Sequence, residues 1–466
     1  MTHPPKAPLL ALLSLLALLL AACGGAPTAA PPTGAPLVSE SREAAPTNAA
    51  AAPTAAPAAT TAAAAAAPTA APAAPGAPAA DVASGGISAA PAGEASAPMP
   101  AATAAPAVAD ATRERPMGQE ASLRAGELDD NAAFADYLAY LQGYTGSDVR
   151  PADVSERYMI SVIDEAQRPV LDARVTVFDG ERIVFRGRTY AGGKTLFMPR
   201  LFDTGNATAF RVVAEYGQAR AEASLERGAS ERVELGLRDV RTDETLRLDL
   251  LFLLDTTGSM GDELGRIQAT IDSIAGRIDG FTPRPAIRYG LVAFKDVGDE
   301  YVTRSAEFTT DVAAFRAELG RLSAMGGGDT PEAVDEGIYE AVVRAGWSDE
   351  PAVRLVFLVG DAGPHVPGGA QFSYLEGARE AVARGVKIYP IAASNTDPQA
   401  EYVFRQLAQQ TMAGFVFLTY QPDENGGAPG ESTTLEAGEQ AYTVERLDDL
   451  IVGIVERELG AAVGAR

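Results

Sequence analysis

The chain has 466 residues, with 62 acidic against 38 basic side chains, a formal net charge of −24 and a single cysteine. No basic stripe runs through it, which excludes nucleic acid as a partner, and one cysteine excludes a disulfide framework. The length allows two or three domains, but the composition sets a long Ala/Pro-rich stretch apart from any folded core.

Residues 1–22 read as an export signal: Lys6 precedes the apolar run from Leu9 to Leu20, too short for a membrane span and suited to a secretory h-region. The sequence Leu20-Ala-Ala-Cys23-Gly24 resembles the lipobox of bacterial lipoproteins. That resemblance implies lipidation of Cys23 and an extracytoplasmic, membrane-anchored protein at the cell surface or periplasmic face. From 23 to 115 the chain is almost wholly Ala, Pro, Thr, Gly and Ser, a composition that cannot bury a core and reads as a disordered linker. Fully extended, it reaches on the order of 250 Å.

Residues 123–156 hold a short helical segment. Asp130 or Asn131 can cap a helix whose Phe134, Tyr137, Leu138 and Leu141 share one face, which the next domain covers. Over 157–240 the apolar period becomes two, as in Ile160 and Val162, Val175 and Val177, Ile183 and Phe185, Val212 and Ala214, and Val233, Leu235 and Leu237. Turn signals at Asp179-Gly180, Ala191-Gly192-Gly193 and Asp203-Thr204-Gly205 separate these runs, which predicts a small antiparallel β-sandwich. The order of Pro169-Val170, Ala173-Arg174-Val175, Arg188-Thr-Tyr-Ala-Gly192 and Phe197-Met-Pro199 resembles the carboxypeptidase-regulatory-like or transthyretin-like sandwiches. Gly193-Lys194-Thr195 imitates the end of a phosphate-binding loop, but Arg188 stands where that loop needs glycine and hairpins flank it, so no nucleotide is expected.

Over 246–460 strands and helices alternate. Strands are expected at Leu248 to Leu254, Ile287 to Phe294, Val353 to Val359, Val386 to Ile391 and Phe415 to Leu418, with an antiparallel edge near Tyr301 to Phe308. Helices are expected from about Met260, Asp311, Pro331, Phe372, Gln399 and Arg446. This is the pattern of an α/β fold, a Rossmann-like, doubly wound, mainly parallel sheet. Its first strand runs into Asp255-Thr-Thr257-Gly-Ser259, a strand-to-helix turn of the kind that binds ligands in such sheets. One carboxylate and two hydroxyls are hard donors, suited to Mg²⁺, Mn²⁺ or Ca²⁺.

Two later turns complete a set: Gly326-Gly-Gly328-Asp329-Thr330-Pro331-Glu332, and Val359-Gly360-Asp361. Alone, Thr330-Pro331-Glu332 also reads as an ordinary helix start, with a cap, proline at the first helical position and an acid near the positive end. Together the three turns resemble the metal-ion-dependent adhesion site of von Willebrand factor type A domains. The resemblance implies Asp255, Thr257, Ser259, Thr330 and Asp361 as ligands of a divalent cation, Mg²⁺ first. Asp262-Glu263 and Asp329-Thr330-Pro331-Glu332 further resemble the I-like domains of integrin β chains. There the residue matching Glu332 is a ligand, and acids matching Asp262, Glu263, Asp296 and Asp329 serve adjacent sites, although Gly327 replaces an asparagine of the flanking set. Whether Thr330 or Glu332 reaches the cation stays open at this point.

A cation held by few carboxylates and several hydroxyls keeps positive character and can accept an acidic side chain from a protein partner. The expected function is therefore cell-surface binding or adhesion without catalysis. The alternatives are an assembly or scaffold subunit of an envelope complex, or a metal-dependent hydrolase. His365 is the only histidine in the folded half, and no Gly-x-Ser-x-Gly elbow occurs.

Overall fold

The computed structural model describes residues 123–464 except 203–204, 242–244, 283, 329, 367–371 and 420–444. The signal-like segment, Cys23 and the Ala/Pro-rich linker lie outside the described residues. The first described element is a strand, β1 (Arg124–Leu128), followed by helix α1 (Phe134–Gly143). Tyr137 of α1 is fully buried, among Val154, Leu196, Met198 and Leu201.

Seven strands then form a two-sheet sandwich: β2 (Tyr158–Ile163), β3 (Arg174–Asp179), β4 (Arg182–Arg188), β5 (Lys194–Phe197), β6 (Ala209–Tyr216), β7 (Ala219–Glu226) and β8 (Arg232–Gly236). The sheets have the orders β5-β2-β8 and β4-β3-β6-β7. Inward-facing Ile160, Val162, Val175, Val177, Val212 and Ala214 fill the space between them, as the period of two requires. The sandwich is not purely antiparallel, because β2 and β8 run parallel. The chain reaches β8 from β7 in the opposite sheet, and such a crossover is free to enter in either direction. Gly193, with φ of +67°, makes the turn into β5, so Lys194 and Thr195 lie on a strand.

The remainder is the α/β part. Its strands are β9 (Arg247–Asp255), β10 (Ala286–Phe294), β11 (Thr303–Thr309), β12 (Val353–Gly360), β13 (Val386–Ala392), β14 (Phe415–Thr419) and β15 (Glu445–Arg446). Its helices are α2 (Gly261–Asp279), α3 (Val312–Leu319), α4 (Val334–Ile338), α5 (Tyr374–Arg384), α6 (Pro398–Gln410) and α7 (Leu447–Ala462). Among the described residues the strands form one eight-stranded sheet, ordered β11-β10-β9-β12-β13-β14-β1-β15. The five central strands are parallel, while β11 and β1 flank them antiparallel.

Alternation along β9 divides the core. Leu248, Leu250, Phe252 and Leu254 pack with Ile267, Ile271 and Ile274 of α2, Phe315 of α3 and Ile451 and Val455 of α7. Leu251 and Leu253 pack on the opposite face with Ile338 of α4, Ala381 of α5 and Phe404 and Leu407 of α6. Both faces are covered, which is why Leu250 to Leu254 reads as an unbroken apolar run. From β9 the chain passes to β10 on one side and later returns to β12 on the other side of β9, so the carboxyl end of β9 is the switch point of the sheet.

Two expectations need correction. Residues 123–156 are not only a helical segment: β1 is an integral strand of the large sheet, paired to β14. Five residues carry no readable period, and the pairing partner is almost 300 positions away. Nor does a helix begin at Pro331. α4 starts at Val334, because the Glu332 N–H donates to Gly363 O (2.9 Å) and the Ala333 N–H to Lys295 O (3.1 Å), so neighbouring loops take the donors a first turn would leave free.

The sandwich is joined to the sheet through a buried ion pair. The Arg354 guanidinium, on β12, donates to both carboxylate oxygens of Asp172 at 2.9 and 3.1 Å, and Arg188 approaches Asp172 at 3.1 Å. Removing one partner of such a pair strands a charge in low dielectric. Arg354→Ala is expected to lower the unfolding free energy near the low end of about 3–5 kcal/mol, since Arg188 remains. Urea titration measures this, and a loss under about 1 kcal/mol would show the joint to be effectively solvated.

Candidate functional site

The site begins where β9 ends. Asp255 is fully buried, and its Oδ1 accepts the Thr257 N–H (2.9 Å) and the Thr257 hydroxyl (2.7 Å). Thr257 Oγ1 lies 3.1 Å from Ser259 Oγ, and the Ser259 hydroxyl donates to Asp361 Oδ1 at 3.2 Å. One run of contacts therefore brings the first turn and the third turn together. Asp255 Oδ2 is buried and finds no hydrogen-bond partner among the described residues.

The second turn supplies Glu332. This side chain is 3% exposed, and its Oε2 also finds no partner among the described residues. A Cβ on Gly327 would sit 3.1 Å from Glu332 Oε1 and 3.1 Å from Thr257 Cβ, so the backbone at 327, with φ of +63°, runs between them. Glycine serves there both for the left-handed conformation and for the close approach. Thr330 lies in the exposed turn before Pro331. The buried side chain facing the first turn is thus Glu332. Asp329 lies outside the described residues, as does the side chain of Asp262.

The other two acids of the wider set act electrostatically on the site, Asp296 on Glu332 and Glu263 on Asp361, and each has a hydrogen-bond partner of its own. Glu263 turns its carboxylate to the Ser394 N–H, at 3.0 Å. Asp296 Oδ1 lies 2.6 Å from His365 Nε2. Two residues outside the sequence-derived set brace the turns. Buried Lys295 donates from Nζ to Thr256 O (2.7 Å) and to Met325 O, stapling the first turn to the second. Asp299 accepts the Gly327 N–H at 2.9 and 3.1 Å. Lys295 did leave a signal in the sequence, a lone cation directly after an apolar strand; Asp299, one acid among several in a loop, left none.

These contacts leave the acids unbalanced. Burial pushes Asp255 up to about 7, the Asp361 charge adds to that, and the Thr257 hydrogen bonds oppose it. Burial raises Glu332 to about 8, with further contributions from Asp255, Asp296 and Asp361. Asp361 is raised as well, by burial, against the Ser259 hydrogen bond. Asp299, by contrast, is lowered by the Gly327 and Asp296 N–H groups.

Among the described residues no group of three or more His, Cys, Asp and Glu side chains forms a metal site by itself. The set here mixes carboxylates with hydroxyls, and its chemistry fits a hard cation. Two unpartnered, buried carboxylate oxygens beside two hydroxyls are what Mg²⁺, Mn²⁺ or Ca²⁺ would compensate. Asp255, Thr257, Ser259, Glu332 and Asp361 are the residues able to hold one.

Residues 249–366 match the sequence model of the von Willebrand factor A domain family. The human von Willebrand factor A domain-containing protein 7 is 33% identical over 145 residues, 30% of this chain and 15% of the human protein. Its rat counterpart is 34% identical over 145 residues, with the same shares. The chain thus spans about 15% of the length of these relatives. Among solved structures, the conserved hypothetical protein BatB from Bacteroides thetaiotaomicron aligns with a TM-score of 0.31 at 13% identity, covering 45% of this chain and 98% of that one. The match runs from within β9 to just beyond Asp361 and takes in β10, β11 and β12, which supports a von Willebrand factor A domain in this part of the chain.

Proposed function

We propose that this chain is a binding or adhesion protein whose notch holds a divalent cation and, through it, an acidic group of a protein ligand. The observation that carries the reading is the fully buried Asp255 carboxylate: among the described residues its Oδ2 has no hydrogen-bond partner, nor has Oε2 of Glu332, whose carboxyl is raised by burial and by the Asp255 charge. A buried charge without a partner is costly, and its retention at a ligand-binding switch point is readily explained by a bound cation. When bound, the cation supplies Lewis acidity and a positive charge at the mouth of the notch. The chain's own residues hold the site open. Thr257 orients Asp255, Ser259 bridges to Asp361, and Lys295 keeps the first two turns together.

The same proposal includes an envelope location, with Cys23 as the lipid-bearing residue and the Ala/Pro-rich stretch as a spacer. It rests on the Leu20-Ala-Ala-Cys23 sequence and the apolar run before it.

Thermal unfolding with Mg²⁺, Mn²⁺ or Ca²⁺ tests the site. A cation at one hundred times its dissociation constant is expected to add about 2.7 kcal/mol, which raises the melting temperature by several degrees. Asp255→Asn removes the buried charge, so the metal-free variant is expected to melt no lower than wild type and to gain nothing from cation. An increment preserved in the variant would refute the site. For the anchor, Cys23→Ala is expected to move the protein from the membrane to the soluble fraction of the producing cell; unchanged fractionation would refute it.

A further inference from the structure

The segment between α1 and the sandwich contributes none of the oxygens of the notch, yet it is tied to both turns that supply Glu332 and Asp361. Gln399, the second residue of α6 and almost wholly buried, donates from Nε2 to Asp148 O (2.5 Å) and to Pro364 O (2.8 Å). A primary amide has two N–H groups, and both are used here to join the segment to the loop after Asp361. Gly363 permits this approach, since a Cβ there would meet Gln399 Oε1 at 2.6 Å. The same loop accepts the Glu332 N–H at Gly363 O (2.9 Å), and Asp361 O accepts the Asp397 N–H at 3.0 Å.

A second relay begins two residues later. The Tyr374 hydroxyl accepts the Arg150 N–H (2.7 Å) and donates to Arg150 O (2.9 Å), while the Tyr374 N–H donates to Asp335 Oδ1 (2.8 Å). Asp335 lies in the first turn of α4, three residues after Glu332. Between the two relays Val149 is packed against the core under α5 and α6. Three consecutive residues, 148 to 150, thereby hold the second and third turns in fixed relation.

We propose that residues 148–150 are a clasp, with Gln399 and Tyr374 as positioning residues that set the spacing of Glu332 and Asp361 and so control the cation affinity of the notch. This rests on the cation reading above. Neither positioning residue touches the cation; each acts on the loops that present its ligands, and buried loops of this kind respond to the loss of a hydrogen bond by shifting rather than stretching.

The test is calorimetric titration of the full chain with Mn²⁺ and Mg²⁺, for wild type, Tyr374→Phe, Gln399→Leu and, as a control, Arg354→Ala. Tyr374→Phe removes one oxygen and leaves the packing, and Gln399→Leu keeps approximate volume while removing both donors. Each is expected to weaken cation binding about three- to tenfold, at a temperature where every variant remains folded. Arg354→Ala, at the opposite end of β12, is expected to lose stability and keep wild-type affinity. Unchanged affinity in Tyr374→Phe and Gln399→Leu, or an equal loss in the control, would overturn the clasp while leaving the cation site standing. Absence of binding in wild type would instead overturn the cation reading, and the clasp with it.

Discussion

A carboxylate closed off from water at the end of the central strand is the constraint on which the rest of the domain depends. Asp255 follows eight residues of β9, six of them apolar, and among the described residues only Thr257 hydrogen-bonds its carboxylate. Such a group persists only where surrounding structure fixes it at a cost met elsewhere. Helices on both faces of β9, and the reversal of connection between β10 and β12, supply that structure. The turns then converge on Asp255 because the topology leaves a gap there and nowhere else along the strand.

The fold was largely readable from the sequence, and the reasons are local. β9 and β12 carry apolar runs from Leu250 to Leu254 and from Leu355 to Val359, α2 carries isoleucines at helical spacing, and Asp255, Thr257 and Ser259 fall in one short turn. What could not be read depends on contacts far apart in the chain. β1 has no period of its own and exists by pairing with β14. Thr330-Pro331-Glu332 has every mark of a helix start, and the bonds from Glu332 N–H to Gly363 O and from Ala333 N–H to Lys295 O are what delay the helix to Val334. Lys295 stands out as a cation directly after an apolar strand, but what it braces, and the role of Asp299 altogether, emerge only from the carbonyls and amides they meet.

The segments before the α/β part are built into it rather than strung ahead of it. Asp130 meets the Arg405 guanidinium at 2.7 and 3.0 Å, and that guanidinium lies 3.7 Å from the Tyr140 ring centre. Asp172 meets Arg354 in the same manner from the sandwich. Buried pairs of this kind add little net stability over apolar pairs of equal volume, but they do not tolerate the loss of one partner. A sandwich joined in this way fixes the base of the sheet, while the segment around residues 148–150 lies against the loops of the notch.

The central claim is that the raised carboxyls of Asp255 and Glu332 belong to a cation site, and proton counting tests it most directly. In the metal-free protein these groups titrate near 7 and 8, above their unfolded values, so at pH 7 Asp255 is about half protonated and Glu332 mostly so. The sign follows: the metal-free fold loses stability as pH rises from about 4 to 8 and these buried groups ionise, and a cation that needs them ionised must displace their protons. Titration calorimetry near pH 7 in buffers of different ionisation enthalpy is predicted to show release of on the order of one proton per cation, with affinity rising as pH increases through 7 to 8. Binding without proton release, at an affinity indifferent to pH over that range, would contradict the account.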